Sequence, residues 1–197
     1  ASDWSSDVCS SDLRKFRLTG GEPTLRPDLL DIVRQIAAVP GVADLAMTTN
    51  GILLPELAAP LKSAGLRRVN IHVDSLDPAR LSRIMRWGKL DDIWRGIEAA
   101  EAAGFAPLKL NSVVTRGYND SDAAALAGLT ITRDWHFRFI ELMPFGAGEC
   151  AQVARDNYIS NEEVRALIEA AHGPLTELPG GDASDESRNF QIGRAHV

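Results

Sequence analysis

Short apolar stretches alternate along this chain with longer segments whose apolar residues recur at helical spacing. The short stretches predict five strands: Phe16–Thr19, Asp44–Thr48, Arg67–Asp74, Leu108–Val114 and Trp135–Leu142. The longer segments predict helices after each strand: from near Pro27 to Pro40, from Pro55 to Ala64, from Leu90 to Ala103, after Ser121, and after the capping box that starts at Ser160. Regular alternation of strands and helices with short connections predicts a parallel sheet with right-handed crossovers.

The polar residues of the strands favour a barrel over an open, doubly wound sheet. Alternate residues of a strand share one face. One alternation collects the polar positions: Arg17, Thr19 and Gly21; Thr48 and Asn50; Asn70, His72 and Asp74; Lys109 and Asn111; Glu141 and Met143. A doubly wound sheet has helices on both faces and would need apolar residues on both. We therefore predict the α/β class, with about five βα units forming a partial (β/α) barrel whose ligands bind at the carboxyl ends of the strands.

Composition narrows the classes of function. The chain has 197 residues, enough for one well-buried domain, and a formal net charge of −6, which argues against a nucleic-acid-binding surface. No apolar run reaches transmembrane length, so we expect a cytoplasmic protein without a membrane partner. Its two cysteines, Cys9 and Cys150, form neither a disulfide framework nor a metal motif, and Cys150 is expected in a loop. We therefore predict no metal ligands in this chain.

The two ends of the chain differ from the rest in composition. Residues 1–13 are rich in Ser and Asp and follow neither a helical nor a strand period. We expect them, together with residues 192–197, to be non-native or disordered. Between these ends, residues 14–172 are predicted to form the barrel core, and residues 173–191 the start of a C-terminal region.

The turn Gly20-Gly21-Glu22-Pro23 is the most informative segment for function. Two adjacent glycines at a strand end let backbone N–H groups approach a ligand closely. The carboxylate of Glu22 is an acceptor suited to an amino group. The alternative is a tight connection between a strand and a helix that binds nothing.

Other strand ends carry further candidate residues. Thr48 precedes an Asn-Gly turn, which is either structural or a source of hydroxyl and amide hydrogen bonds. His72 belongs to a polar cluster that could instead serve to cap a helix. Lys109 would be costly inside a barrel unless it meets an anion, and Arg17 could add a second positive charge. The alternative for Lys109 is an ion pair with Glu141 or Asp74. Two converging cations suit an anionic substrate such as a nucleotide.

Four segments in this order resemble one family of radical-SAM enzymes, the MoaA-type GTP 3',8-cyclases of molybdenum cofactor biosynthesis. The segments are Arg17–Pro23, Thr48–Gly51, Val69–Pro78 and Phe139–Pro144. The resemblance implies S-adenosylmethionine and 4Fe–4S clusters as cofactors and GTP as substrate. It assigns S-adenosylmethionine binding to Gly20, Gly21, Glu22, His72 and Met143. It assigns GTP binding to Arg17, Thr48 and Lys109. Position 72 is commonly Ser in that family.

The implied reaction is a lyase reaction that uses a radical from S-adenosylmethionine. It converts GTP to (8S)-3',8-cyclo-7,8-dihydroguanosine 5'-triphosphate, in an enzyme that can be a homodimer. The family holds its first cluster by a Cys-x3-Cys-x2-Cys motif on the loop after an earlier strand, and this sequence has no such motif. We therefore expect a piece of the enzyme that lacks the first strand, the cluster loop and the second cluster. No residue is assigned a catalytic role, and we predict that this chain alone binds no cluster and has no cyclase activity.

Two other interpretations stay open at this level. One is a different radical-SAM enzyme, such as a peptide-modifying maturase with the same Gly-Gly-Glu-Pro turn. The other is a non-catalytic nucleotide-binding barrel that uses no cluster.

Overall fold

One parallel sheet organises the protein. The computed structural model describes residues 13–85, 88–143, 149–179 and 188–193. The sheet has the order β1-β2-β3-β4-β5, so neighbours in sequence are neighbours in space. Its strands are β1 (Lys15–Leu18), β2 (Asp44–Thr49), β3 (Arg68–His72), β4 (Leu108–Val114) and β5 (Trp135–Glu141). All four pairings are parallel, which confirms the predicted five-stranded sheet.

Helices follow the strands as the alternation predicted. They are α1 (Leu29–Ala38), α2 (Leu54–Ser63), α3 (Pro78–Ile84), α4 (Leu90–Ala102), α5 (Ala123–Thr132), α6 (Glu149–Asp156) and α7 (Asn161–His172). A two-stranded antiparallel sheet follows, with β6 (Leu175–Glu177) and β7 (Phe190–Ile192). The predicted capping box before α7 is present, since Ser160 and Glu163 bond each other's backbone N–H groups.

Two of these helices, α3 and α6, were not among those predicted from the sequence. In α3, Pro78 occupies the first turn and the Asp77 carboxylate accepts hydrogen bonds from the backbone N–H groups of Ala79 and Arg80. Asp and Pro also favour turns, so the pattern alone was ambiguous. In α6, the expectation that Cys150 occupies a loop was wrong, since it belongs to this helix. Ile192 of the β6–β7 sheet, although in the segment expected to be non-native, pairs with Leu175.

The helices cover one face of the five-stranded sheet. On β2, β3 and β4, alternate apolar residues enter a single buried core: Leu45, Met47, Val69, Ile71, Leu108 and Leu110. They pack together with side chains of α2 and α4: Leu54, Leu61, Ile93 and Ile97. Each such side chain contributes about 1.5–3 kcal/mol when fully buried. The core therefore fixes which face of each strand points away from the helices.

The opposite face of the sheet is polar. Residues that alternate with the core positions align across four strands, because Thr48 pairs in register with Asn70, Asn70 with Lys109, and Lys109 with His136. A second row pairs His72 with Asn111. Polar residues are thus gathered on one face, as the sequence predicted for β2 to β4.

For β5 the predicted polar face was wrong. Trp135, Phe137 and Phe139 pack against the core. Glu141, which has the same alternation, accepts a 2.7 Å hydrogen bond from the backbone N–H of Asn161 at the start of α7. Burial of three aromatic rings decides the orientation of this strand. The face shared with Lys109 therefore carries His136 and Arg138 rather than Glu141.

Helix α4 touches the turn that follows β2. A Cβ atom added at Gly96 would lie 2.0 Å from the carbonyl oxygen of Gly51, so only glycine allows this approach. Gly51 itself has φ +82°, a conformation that favours glycine. The helix layer thereby fixes the position of a turn at the carboxyl end of the sheet.

Within the described part of the chain, no helix is both long and apolar enough to cross a membrane.

Candidate functional site

The glycine turn after β1 is open to solvent. Gly20 has φ +137°, a value that side-chain-bearing residues rarely adopt. A Cβ at either Gly20 or Gly21 would meet no atom of the described residues within 4 Å, so close packing against them does not explain the pair. Exposed backbone at the carboxyl end of a parallel strand is suited to a ligand that comes close to N–H groups.

The Glu22 carboxylate joins the first turn to the second. Its Oε1 accepts hydrogen bonds from the Thr24 hydroxyl at 2.6 Å, the Thr24 backbone N–H at 3.1 Å and the Thr49 hydroxyl at 2.6 Å. Its Oε2 accepts one from the backbone N–H of Asn50 at 2.8 Å. A carboxylate offers about four acceptor positions, two on each oxygen. Oε2 therefore retains capacity for one more donor, such as the amino group of a ligand.

The second turn is held by its own side chains. The Thr49 hydroxyl accepts a hydrogen bond from Gly51 N–H at 3.1 Å, and Asn50 Oδ1 accepts one from Ile52 N–H at 3.0 Å. These bonds support the structural interpretation of the Asn-Gly turn. Thr48 was predicted from the sequence as a site residue, whereas Thr49, whose hydroxyl donates a hydrogen bond to Glu22, was not. Both threonines end a strand, but only the register of the sheet separates Thr48 on the polar face from Thr49.

His72 and Asp74 form a pair at the end of β3. The His72 Nε2 lies 2.6 Å from Asp74 Oδ2, and the other carboxylate oxygen accepts from Ser112 and from Val113 N–H. Burial lowers the pKa of His72, but the hydrogen bond and the charge of Asp74 outweigh it and raise the pKa above its ordinary value. The imidazole is half-buried, so one edge of it is accessible to a ligand. The carboxylate thus favours the protonated imidazole, which only donates hydrogen bonds.

A network of hydrogen bonds around Asp122 and Asn119 holds the backbone next to this pair. The Asp122 carboxylate accepts a 2.6 Å hydrogen bond from the Ser75 hydroxyl. It also forms a bidentate ion pair with Arg80, whose Nε and Nη2 donate hydrogen bonds of 2.9 and 2.8 Å. The Asn119 amide donates to the carbonyl oxygen of Asp74 at 2.9 Å. These contacts join the loop after β3 to the loop after β4 and hold the Asp74 backbone in place.

Cationic residues occupy the polar face on several strands. Arg17 lies on β1 between Phe16 and Leu18, which both pack against the core, so its exposed guanidinium points to the polar side. Lys109 of β4 lies next to His136 of β5. Burial, followed by the positive charge of Lys109, lowers the pKa of His136.

Arg138 and Met143 extend the candidate site along β5. Arg138 pairs in register with Asn111 and was missed by the sequence analysis, which placed Glu141 on this face. Met143 lies beyond the end of β5 and is 55% exposed, which is unusual for a residue that only fills the core.

The structure brings most of the predicted site residues to one region. Gly20, Gly21 and Glu22 lie at the carboxyl end of β1, while Thr48, His72 and Lys109 share the polar face of the neighbouring strands. A cavity of about 620 Å³ lies elsewhere, at the start of β5, and is lined by none of these residues.

The residues present do not fit an iron–sulfur cluster. Thiolate ligands are needed, and the sequence contains two cysteines, Cys9 and Cys150, far apart along the chain. Cys9 lies outside the described residues. Among those that are described, no group of three or more His, Cys, Asp or Glu side chains is arranged to hold a metal ion. The open glycine turn and Glu22 do fit a ligand with an amino group and a carboxylate, as S-adenosylmethionine has.

The chain belongs to the radical SAM superfamily, whose family model matches residues 8–129. Its sequence relatives are more specific. It is 51% identical over 166 residues to the GTP 3',8-cyclase of Microcystis aeruginosa (strain NIES-843 / IAM M-2473), covering 81% of this chain and 49% of the relative. It is 42% identical over 192 residues to the GTP 3',8-cyclase of Moorella thermoacetica (strain ATCC 39073 / JCM 9320), covering 96% and 58%. The chain thus spans about half the length of these relatives.

Solved structures agree on the fold. TYW1 with a lysine-pyruvate adduct bound superposes with a TM-score of 0.58 at 17% identity, over 91% of this chain and 57% of that chain. Coproporphyrinogen III oxidase (HemN) from Escherichia coli, a radical SAM enzyme, gives 0.54 at 12% identity, over 80% and 38%. The predicted radical-SAM type of partial barrel is therefore confirmed.

Proposed function

We propose that this chain carries the S-adenosylmethionine-binding and GTP-binding part of a GTP 3',8-cyclase. The observation that supports this most strongly is 42% to 51% identity to enzymes of that name over most of the chain. The cations on the polar face also suit a triphosphate, because Arg and Lys bind phosphate oxygens by charge-assisted hydrogen bonds. These relatives favour the cyclase over a peptide-modifying enzyme or a non-catalytic barrel.

Each predicted residue has a physical role in this proposal. The backbone of Gly20 and Gly21 binds the methionine carboxylate, and Glu22 Oε2 accepts a hydrogen bond from the amino group. His72 donates a hydrogen bond to S-adenosylmethionine, and Met143 packs along its adenine.

The remaining contacts bind GTP. Arg17 and Lys109 bind phosphate oxygens, and the Thr48 hydroxyl bonds a polar group of the nucleotide. Two cations on one face make the site selective for a highly charged anion.

S-adenosylmethionine supplies radical chemistry when it receives an electron from a cluster. The cysteines for that cluster are not in this sequence, so the reaction is proposed for the whole enzyme. The product is (8S)-3',8-cyclo-7,8-dihydroguanosine 5'-triphosphate. Residues 14–172 form the barrel core of that enzyme in this proposal. The enzyme is cytoplasmic, binds neither membrane nor nucleic acid, and can form a homodimer.

Isothermal titration calorimetry of the 197-residue chain with GTP tests the proposal. We expect Lys109→Ala to weaken GTP binding about ten- to a hundredfold, since a charge-assisted hydrogen bond contributes about 1.5–3 kcal/mol. Arg34→Ala is the matched control, because it removes an exposed cation on α1. Absence of any affinity for GTP, or equal losses in both variants, would contradict the proposal.

Anaerobic reconstitution with iron and sulfide tests the separate prediction about the cluster. We expect no cluster-dependent absorbance from this chain, and appreciable absorbance would contradict that prediction.

A further inference from the structure

Two buried asparagine side chains on the polar face carry polar atoms that have no hydrogen-bond partner among the described residues. Asn70 is 1% exposed, and neither its Nδ2 nor its Oδ1 has a partner in the described part of the protein. Asn111 is 6% exposed, and its Oδ1 likewise has no partner there. An unsatisfied buried polar group costs about 1–3 kcal/mol, and native proteins contain few of them. Two such groups on one face therefore need an explanation.

Their position points to a ligand. Asn70 lies between Val69 and Ile71, which both enter the core, so its amide projects to the polar face. Its register partners there are Thr48 and Lys109. The amide is thus flanked by two of the residues proposed to bind GTP.

Asn111 lies in the neighbouring row. Its register partners are His72 on one side and Arg138 on the other. It follows Leu110, which enters the core, so the Asn111 amide also projects to the polar face. The two asparagines occupy adjacent strands, two residues apart in register.

A third asparagine shows how this fold satisfies a structural amide. Asn119 is also 1% exposed. Its Nδ2 donates to the carbonyl oxygens of Asp74 and Val113 at 2.9 and 3.1 Å, and its Oδ1 accepts from Thr115 N–H at 2.8 Å. Asn70 has equal burial and none of these contacts, so the described residues give no structural reason for its amide.

We propose that Asn70 and Asn111 are ligand-binding residues whose amides bind uncharged hydroxyl or amide groups of a nucleotide. This inference rests on the proposed function and adds residues to the same site. A side-chain amide both donates and accepts hydrogen bonds, which matches a ribose diol or the amide edge of a purine. Lys109 and Arg17 bind the charged part of the ligand, while the asparagines bind the uncharged part.

Replacement by leucine separates a ligand role from a structural one. Leucine has nearly the shape of asparagine, and removing an unsatisfied buried amide costs no hydrogen bond. We expect Asn70→Leu to leave the urea midpoint of the full 197-residue chain unchanged or higher and to weaken GTP binding about tenfold. Asn119→Leu is the matched control, and we expect it to lower the urea midpoint. Asn111→Leu is a second, independent variant with the behaviour of Asn70→Leu.

Two probes show whether the asparagines bind the nucleoside of GTP or that of S-adenosylmethionine. GTP and S-adenosylhomocysteine are titrated separately, and weaker binding of either probe in Asn70→Leu or Asn111→Leu supports the inference. Unchanged affinity for every probe that the wild-type chain binds would overturn the inference alone. No wild-type affinity for either probe would overturn it together with the proposed function. A loss of stability in Asn70→Leu as large as in Asn119→Leu would also overturn it, because that marks a structural amide.

Discussion

Glu22 and Asn50 are hydrogen-bonded across two turns of the sheet, with the Glu22 Oε2 accepting from the Asn50 backbone N–H at 2.8 Å. The residues are 28 positions apart in sequence. Because Oε1 of the same carboxylate accepts from Thr24 and Thr49, the group connects the turn after β1 to the end of β2. The proposed S-adenosylmethionine contact therefore depends on a side chain that is already held in place.

Glu22→Gln should destabilise the protein. A glutamine keeps one acceptor oxygen and replaces the other by a donor, so at least one N–H or O–H group loses its acceptor. We expect the free energy of unfolding in urea to fall by about 1–3 kcal/mol. Glu56→Gln on the exposed side of α2 is the control and should change it by less than about 0.5 kcal/mol. Equal stability of both variants would show that the Glu22 bonds contribute nothing net.

Gly96→Ala should destabilise the protein although alanine is the better helix former. At an exposed helix position this change stabilises by about 1 kcal/mol. Here the added Cβ would lie 2.0 Å from the Gly51 carbonyl oxygen, so α4 or the turn after β2 must move. We expect a loss of about 1–3 kcal/mol in urea unfolding, as for other overpacked positions.

Gly21→Ala is a useful comparison for Gly96→Ala. A Cβ at Gly21 meets no atom within 4 Å, and its backbone does not require positive φ. Its stability should stay close to that of the wild type. A Gly96→Ala protein as stable as the Gly21→Ala protein would contradict the close packing of α4 on the turn.

The His72–Asp74 pair should make stability depend on pH. The pKa of His72 is raised in the folded protein, so protonation favours folding. The stabilising contribution is complete below the ordinary histidine pKa of about 6.5 and is lost as pH rises through the raised folded value. Urea unfolding at several pH values measures this effect. We expect the stability advantage of wild type over His72→Gln to shrink as pH rises through the raised pKa of His72.

His136 provides an internal check with the opposite sign. Its pKa is lowered by burial and by Lys109, so protonation opposes folding. Its destabilising contribution appears as pH falls through the ordinary histidine value. His136→Gln should therefore gain stability relative to wild type at low pH. If the stability differences of His72→Gln and His136→Gln from wild type changed with pH in the same way, the stabilising role of the His72–Asp74 pair would be contradicted.

Asp122→Ala should loosen the support beneath Asp74. The carboxylate is 5% exposed and accepts from Ser75 and Arg80, so its removal leaves buried donors without an acceptor. We expect a loss of about 2–3 kcal/mol in urea unfolding, below the range for a fully buried pair because Arg80 is partly exposed. Asp91→Ala, at an exposed position of α4, should change it little, and similar losses in both would contradict the role of the network.

The sequence predicted most of the fold because its hydrophobic pattern is regular. The alternation in β2 to β4 is set by residues that must be buried, such as Val69 and Ile71, and these fix the opposite face as well. In β5 the polar residues at the strand end suggested one face, whereas the larger burial of Trp135 and Phe137 selected the other. Local polarity was outweighed by the apolar area of the aromatic rings.

Contacts between turns that are distant in sequence could not be predicted from the sequence alone. Nothing in the spacing of Glu22 and Thr49 indicates that their side chains meet, since that depends on the pairing of β1 with β2. The sequence likewise does not show that the buried amide of Asn70 has no hydrogen-bond partner among the residues that the structure describes. Single motifs predicted the candidate residues, and the sheet register determined which of them lie together.

The polar face also gives the molecule an uneven electric field. The chain has a formal net charge of −6, yet Arg17, Lys109 and Arg138 lie on the same side of one sheet. The negative net charge opposes the approach of a polyanion, whereas cations gathered on one side favour its approach there before any contact forms. Dissolved salt shortens the reach of that guidance to about 10 Å at 0.1 M ionic strength. Under the proposed function, the rate at which the chain captures GTP should therefore fall as ionic strength rises, even where the bound complex keeps the same contacts.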